Sequence, residues 1–208
     1  GVFELIGLTF SETEECARAK ELSRQVLDRT SKLGKALNFN PRGQSGKRQR
    51  IGFLSSDFRN HAVGHQMIAL LENLDREKFE LFLYATSPHE DTPIRGQLVE
   101  VCDSFRDLSA CGVRAKATAI FEDGLDLLVD LGGFSQANNA EVLALRPALR
   151  QAHYLGYASS MGKGLVDCVL ADRWVLPSSA SRKYAEKIVR MEGCFFPPGA
   201  FTGFAKRG

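Results

Sequence analysis

From Arg50 onward, short apolar runs alternate with stretches of helical periodicity. RIGFL (50–54), FELFLYAT (79–86) and LDLLVDL (125–131) are almost unbroken in apolar residues, as in strands buried on both faces. SFRDLS (104–109), QAHYLG (151–156), CVLADRW (168–174) and KIVRM (187–191) predict further strands. Between them, helices are predicted at Gly64–Leu74, Thr92–Cys102, Arg114–Glu122, Glu141–Leu145 and around Ser181–Glu186. Thr92-Pro93 supplies a cap followed by a helix-starting proline, and Gly124 closes the helix before it. Such alternation predicts an α/β fold: a Rossmann-like parallel sheet flanked by helices.

Ahead of this alternation, residues 11–37 predict one amphipathic helix. Ser11 and Glu14 have capping-box spacing, and Ala19, Leu22, Val26 and Leu33 recur at roughly helical intervals. The segment NFNPRGQSGKRQ (38–49) has the composition of a linker. The expected organisation is therefore a helix and linker over 1–49, a Rossmann-like domain over 50–194 and a tail over 195–208.

Composition narrows the partners. The 208 residues are 44% hydrophobic and 25% charged, enough for one domain with a sizeable core. A net charge of +2 argues for neither nucleic acid nor a membrane surface, and Lys47-Arg48-Gln49-Arg50 is too short to alter that. Five scattered cysteines without a CxxC pair support neither a zinc knuckle nor a disulfide framework. No signal pattern or membrane-length apolar run is present, so a cytoplasmic location with reduced thiols is expected.

In open parallel sheets, ligands bind beyond the carboxyl ends of the strands. That rule selects three loops: SSDFRNHAVGH (55–65), GGFSQANN (132–139) and LGYASSMGKG (155–164). The first lacks the G-x-G-x-x-G of a dinucleotide site. In the third, Gly156 and Gly162 are separated by five intervening residues rather than four, and Gly164 replaces the hydroxyl residue of a P-loop, so a nucleotide triphosphatase is not expected. Asp57 is either a helix cap or a reacting carboxylate. His61 and His65 fall four apart, but His89 and His153 are the sole other histidines, and no metal is expected. A neutral imidazole here suits a general base or a donor to a substrate oxygen.

RIGFLSSDFRNHAVGH resembles the start of the catalytic region in the family 41 glycosyltransferases, the O-linked N-acetylglucosamine transferases and their bacterial relatives. The likeness continues in order through FELFLYATSPHEDTPIR, DGLDLLVDLGGFSQANN, ALRPALRQAHYLGYASSMG and VDCVLADRWVLP, spanning about Arg50 to Met191. It implies one lobe of a GT-B fold, the N-terminal catalytic lobe, with helix 11–37 as the connector to tetratricopeptide repeats. In the family most UDP-binding residues lie on the C-terminal lobe, so this lobe is expected to be inactive without one.

By position, Asp57 and His61 match the reaction centre. Leu155, Gly156 and Tyr157 match the loop lining the N-acetylglucosamine pocket. Ser56, Val63 and His65 are implied substrate contacts, and Lys163 is the cation expected nearby. Ala158-Ser159-Ser160 departs from the family's Pro-Gly-Thr, and Arg59 and Ala62-Val63 depart from the Gly and Pro-Thr of animal enzymes. The implied reaction is inverting transfer from UDP-N-acetylglucosamine to Ser or Thr of a protein acceptor, with a UDP-sugar as donor substrate and no cofactor. The alternative is a non-catalytic binding module or a folded fragment derived from such an enzyme. A face bearing Asp57, His61, Phe134, Tyr157 and Met161 is expected to be uncovered and to pair with a separate lobe or a second copy. FFPPGAF (195–201) is the alternative lid.

Overall fold

The computed structural model describes residues 11–37, 48–88 and 90–197. Most of the predicted linker, His89 and the tail beyond 197 therefore lie outside the described residues. Seven strands form one parallel sheet in the order β3-β2-β1-β4-β5-β6-β7. They are β1 (Gln49–Ser55), β2 (Phe79–Ala85), β3 (Ser104–Asp107), β4 (Leu127–Asp130), β5 (Arg150–His153), β6 (Cys168–Ala171) and β7 (Lys187–Arg190). Helices α1 (Glu12–Ser31), α2 (Ala62–Glu72), α3 (Pro93–Glu100), α4 (Val113–Glu122) and α5 (Ala140–Ala144) flank it. The expected helix near 181–186 is a 3-10 turn over Ser178–Lys183.

The chain runs outward from β1 to β3, then crosses back to place β4 against the other edge of β1. Between β1 and β4 lies the switch point, the place at which open parallel sheets commonly bind ligands. The interior strands carry the apolar runs seen in the sequence: Leu81 to Ala85 are buried throughout, as are Leu128 and Val129.

Helix α1 begins as the sequence predicts. Ser11 and Glu14 cap it reciprocally, with the Ser11 N–H donating to the Glu14 carboxylate at 2.8 Å. It ends six residues earlier than expected. The Leu33 N–H tightens onto the Thr30 carbonyl at 2.9 Å, and the chain then extends until the Leu37 N–H reaches the Leu145 carbonyl at 2.8 Å. A hydrogen bond to the end of α5 thus replaces another helical turn.

Its buried face, Cys16, Ala19, Ser23, Val26 and Thr30, corrects the expectation of an uncovered aromatic surface. Phe134, Tyr157 and Met161 are buried in the same cluster as Val26, with Leu22 and Leu27 packed against it. At Gly162, which has φ +81°, a Cβ would lie 2.2 Å from the Ala19 carbonyl, so helix and loop meet backbone to backbone. The covering element for these residues is α1. From the tail, Phe195 packs elsewhere, edge-on against Tyr154 with ring centroids 5.1 Å apart.

Candidate active site at the switch point

Strand β1 runs buried to Ser55, whose hydroxyl accepts the Asp57 N–H at 2.9 Å and turns the chain out of the sheet. Ser56 is buried in that turn. Phe58, fully buried, pins the loop to the core. From α3 the buried Arg95 donates to the Phe58 carbonyl at 3.0 Å and to Asp107 at 2.8 Å, its guanidinium 4.4 Å from the Phe105 ring centre. The loop is thus braced from beneath, leaving its polar side chains at the rim.

His61, rather than Asp57, caps α2. Its extended backbone precedes the helix, and Nδ1 accepts the Val63 N–H at 3.2 Å. A nitrogen that accepts there carries no proton, so in the neutral ring Nε2 is the donor. The Asp57 carboxylate lies 3.9 Å from Nδ1, too far for a hydrogen bond. It is 3.3 Å from Arg59, whose guanidinium also reaches Glu90 at 3.4 Å. The His61 side chain is 42% exposed and that of Asp57 17%. The arrangement offers a carboxylate acceptor and an imidazole N–H donor side by side, rather than a hydrogen-bonded pair.

Val63 is buried behind this cap and forms the contact with the β5 loop, its Cγ2 3.5 Å from where a Cβ on Gly156 would sit. The same Cβ would fall 2.0 Å from the Leu131 carbonyl, so only glycine lets the loops after β1, β4 and β5 converge. Leu155 has φ +75°, and the Gly156 N–H donates to the Tyr154 carbonyl at 3.1 Å, a γ-turn of the rare positive-φ kind. Tyr157 is buried, its ring edge-on to Phe134 at 6.1 Å. Leu155 and Gly156 thus meet the neighbouring loops mainly through backbone.

Two expected contacts lie apart. His65 is exposed on the first turn of α2, with Nε2 3.0 Å from Asn60 Oδ1. Lys163 is exposed and its backbone N–H donates to Ser23 of α1 at 3.0 Å. The cation beside Asp57 is Arg59, a residue whose role was hidden because the bond closes over two positions within a loop.

Sequence reasoning also missed Asp130 and His153, which bridge β4 and β5, and Glu186, which holds Ser160 and Met161. Asp130 was legible only as a polar end to an apolar run. A cavity of about 470 Å³ lies between α1, the β5 loop and the 3-10 turn, lined by Leu22, Tyr157, Ser159, Val175 and Tyr184. It shares Tyr157 with the candidate loop but neither Asp57 nor His61, so the chemistry and this cavity do not coincide. Among the described residues, no group of three or more His, Cys, Asp or Glu side chains could hold a metal ion. No helix among them is long and apolar enough to cross a membrane.

The sheet order and the polar loops at its switch point define a Rossmann-like lobe of the kind that forms half of a GT-B enzyme. The chain belongs to glycosyl transferase family 41, whose pattern matches residues 8–202. It is 34% identical over 150 residues to a probable UDP-N-acetylglucosamine–peptide N-acetylglucosaminyltransferase SEC of Arabidopsis thaliana, covering 72% of this chain and 15% of that protein. It is 36% identical over 154 residues to the UDP-N-acetylglucosamine–peptide N-acetylglucosaminyltransferase of Caenorhabditis elegans, covering 74% and 13%. An O-GlcNAc transferase mutant (K341M) of Thermobaculum terrenum shares the fold, with a TM-score of 0.70 and 24% identity over 84% of this chain and 34% of that one. The chain thus spans a small fraction of the length of these relatives.

Proposed function

We propose that this chain forms the N-terminal half of an inverting transfer site, which moves N-acetylglucosamine from a UDP donor to a Ser or Thr hydroxyl of a protein. Family membership and the activities named for the relatives support the substrate class. The observation that carries the reading is the rim of the β1 loop, where the Asp57 carboxylate stands beside a His61 ring whose Nδ1 is already engaged.

In this reading the acceptor oxygen attacks the anomeric carbon while the bond from that carbon to the diphosphate oxygen breaks, and UDP leaves with the electron pair. The hydroxyl proton passes to Asp57 through a water. His61 serves as donor, its Nε2–H directed at an oxygen of the donor substrate. Arg59 holds the Asp57 carboxylate in place. The positive charge needed at the departing diphosphate comes from a complementary lobe, which would cover the rim bearing Asp57 and His61.

The test is UDP release from UDP-N-acetylglucosamine with a Ser/Thr acceptor peptide, for this chain alone and after addition of a C-terminal lobe from a family 41 enzyme. The chain alone should show no transfer above background. The reconstituted pair should transfer, and Asp57→Asn and His61→Ala should each cut kcat by about 100-fold. Undiminished transfer in both variants would contradict the assignment. If no pairing restored transfer while the wild-type chain still bound acceptor peptide, a non-catalytic binding module would be the better reading.

A further inference from the structure

We propose that Asp130 and His153 are the positioning pair of the Leu155–Tyr157 loop: a buried imidazolium that donates to the Asp130 carboxylate from Nδ1 and to the Tyr157 carbonyl from Nε2. The proposal rests on the functional reading only in giving that loop the donor sugar. The distances are 3.2 Å to Asp130 Oδ2 and 2.8 Å to the Tyr157 oxygen. A neutral ring has one N–H and cannot donate to both; the partners here are a carboxylate oxygen and a carbonyl oxygen, and neither can donate. Both side chains are essentially inaccessible, at 0% and 1% exposure.

The pair sits where two candidate loops begin. Asp130 ends β4, and its Oδ2 also accepts the Gly133 N–H at 2.7 Å, fixing the start of the loop after β4. His153 ends β5 and pairs in register with Asp130. Its bond to Tyr157 closes a ring of backbone around Leu155, the residue at φ +75°. Such a conformation persists only where its surroundings over-determine it. The charge-assisted bond to the Tyr157 carbonyl is that constraint, and the loop's far end is held independently by Glu186, which accepts from Ser160 Oγ and the Met161 N–H at 2.6 Å each.

Charge at the site is consistent with this geometry. Burial alone disfavours the imidazolium, but the hydrogen bond and charge of Asp130, the Tyr157 carbonyl and the charge of Glu186 outweigh it, raising the His153 pKa above its ordinary value. Tyr157 faces the ring edge-on at 5.9 Å between centroids. Burying an ion pair is a poor route to stability, since apolar side chains of similar volume commonly do as well. Its location at the mouths of two loops accounts for it better.

The deciding measurement is the imidazole nitrogen spectrum of this chain from about pH 6 to 9, with His153→Gln identifying the signal. Both His153 nitrogens should remain protonated at pH values where an ordinary histidine has lost a proton. A singly protonated His153 ring at neutral pH would overturn the proposal. In Asp130→Asn the ring should drop to one proton, and exchange of the Gly133 and Gly156 amides should quicken at least about tenfold. Exchange in β2 should change little; equal acceleration across the sheet would mean a merely structural pair and would overturn the proposal. If that variant fails to fold, the wild-type spectra decide alone. UDP-N-acetylglucosamine binding should weaken at least about tenfold in the same variant, and unchanged binding with a loosened loop would also overturn it. Absence of binding to the wild-type chain would instead count against the proposed function, leaving the pair to be judged by the ring spectra.

Discussion

The loops after β1 and β5 touch through Val63 and Gly156, yet they are held in opposite ways. The β1 loop is braced from below by Phe58 and Arg95 and leaves Asp57 and His61 at the rim, their mutual geometry set by a cap and a surface ion pair. The β5 loop meets α1 backbone to backbone at Gly162, its tyrosine buried and its backbone tied to a buried charge. In the proposed function, the first loop would present reactive groups that can adjust to a substrate. The other supplies a fixed wall. A transfer site needs both, because positioning the sugar and moving a proton place different demands on rigidity.

The strongest way to break this contrast is to remove the charge beneath the wall. His153→Ala leaves Asp130 buried without its partner and should destabilise the chain by about 3–5 kcal/mol, measured by denaturant unfolding. A pH series sharpens the point. Because the folded-state pKa of His153 is raised, its stabilisation is complete below the ordinary value of 6.5 and is lost as pH rises through the folded value. Stability of the wild-type chain should therefore fall over that upper range, and His153→Gln should lack the His153 contribution to the slope.

Next in size is Gly156→Ala. The added methyl meets the Leu131 carbonyl, a backbone atom that cannot swing away, so a loss of about 1–3 kcal/mol is expected in the same unfolding measurement. The smallest effect on stability should come from the exposed loop. His61→Ala removes the α2 cap and should cost about 1 kcal/mol, although the proposed reaction would lose far more. A substitution that costs activity but little stability at the rim, and one that costs both stability and donor binding at the wall, would be the signature of the division.

Much of this architecture was legible in the sequence. Apolar runs identified the strands because a sheet covered on both faces demands them. The β1 loop stood out because Asp57, His61 and His65 interrupt such a run. The covering role of α1 was not legible: its apolar residues predict an amphipathic helix, but periodicity does not say against what it packs. Nor does a lone His153 after an apolar strand announce an acid partner that is 23 positions away in sequence and adjacent only through the β4–β5 register. Glu186 was hidden for the same reason, and the small residues from Ala158 to Gly162 disguised how tightly their backbone is held.

In the proposed function these two loops form one half of a sugar-nucleotide site. The most direct test is an amide NMR titration of this chain with UDP-N-acetylglucosamine. Weak binding is expected, with a Kd of about 1 mM, because one lobe offers half a cleft. Shifts should concentrate at Asp57 to Val63 and Leu155 to Tyr157. Micromolar affinity, or shifts confined to the cavity between α1 and the 3-10 turn, would contradict this assignment.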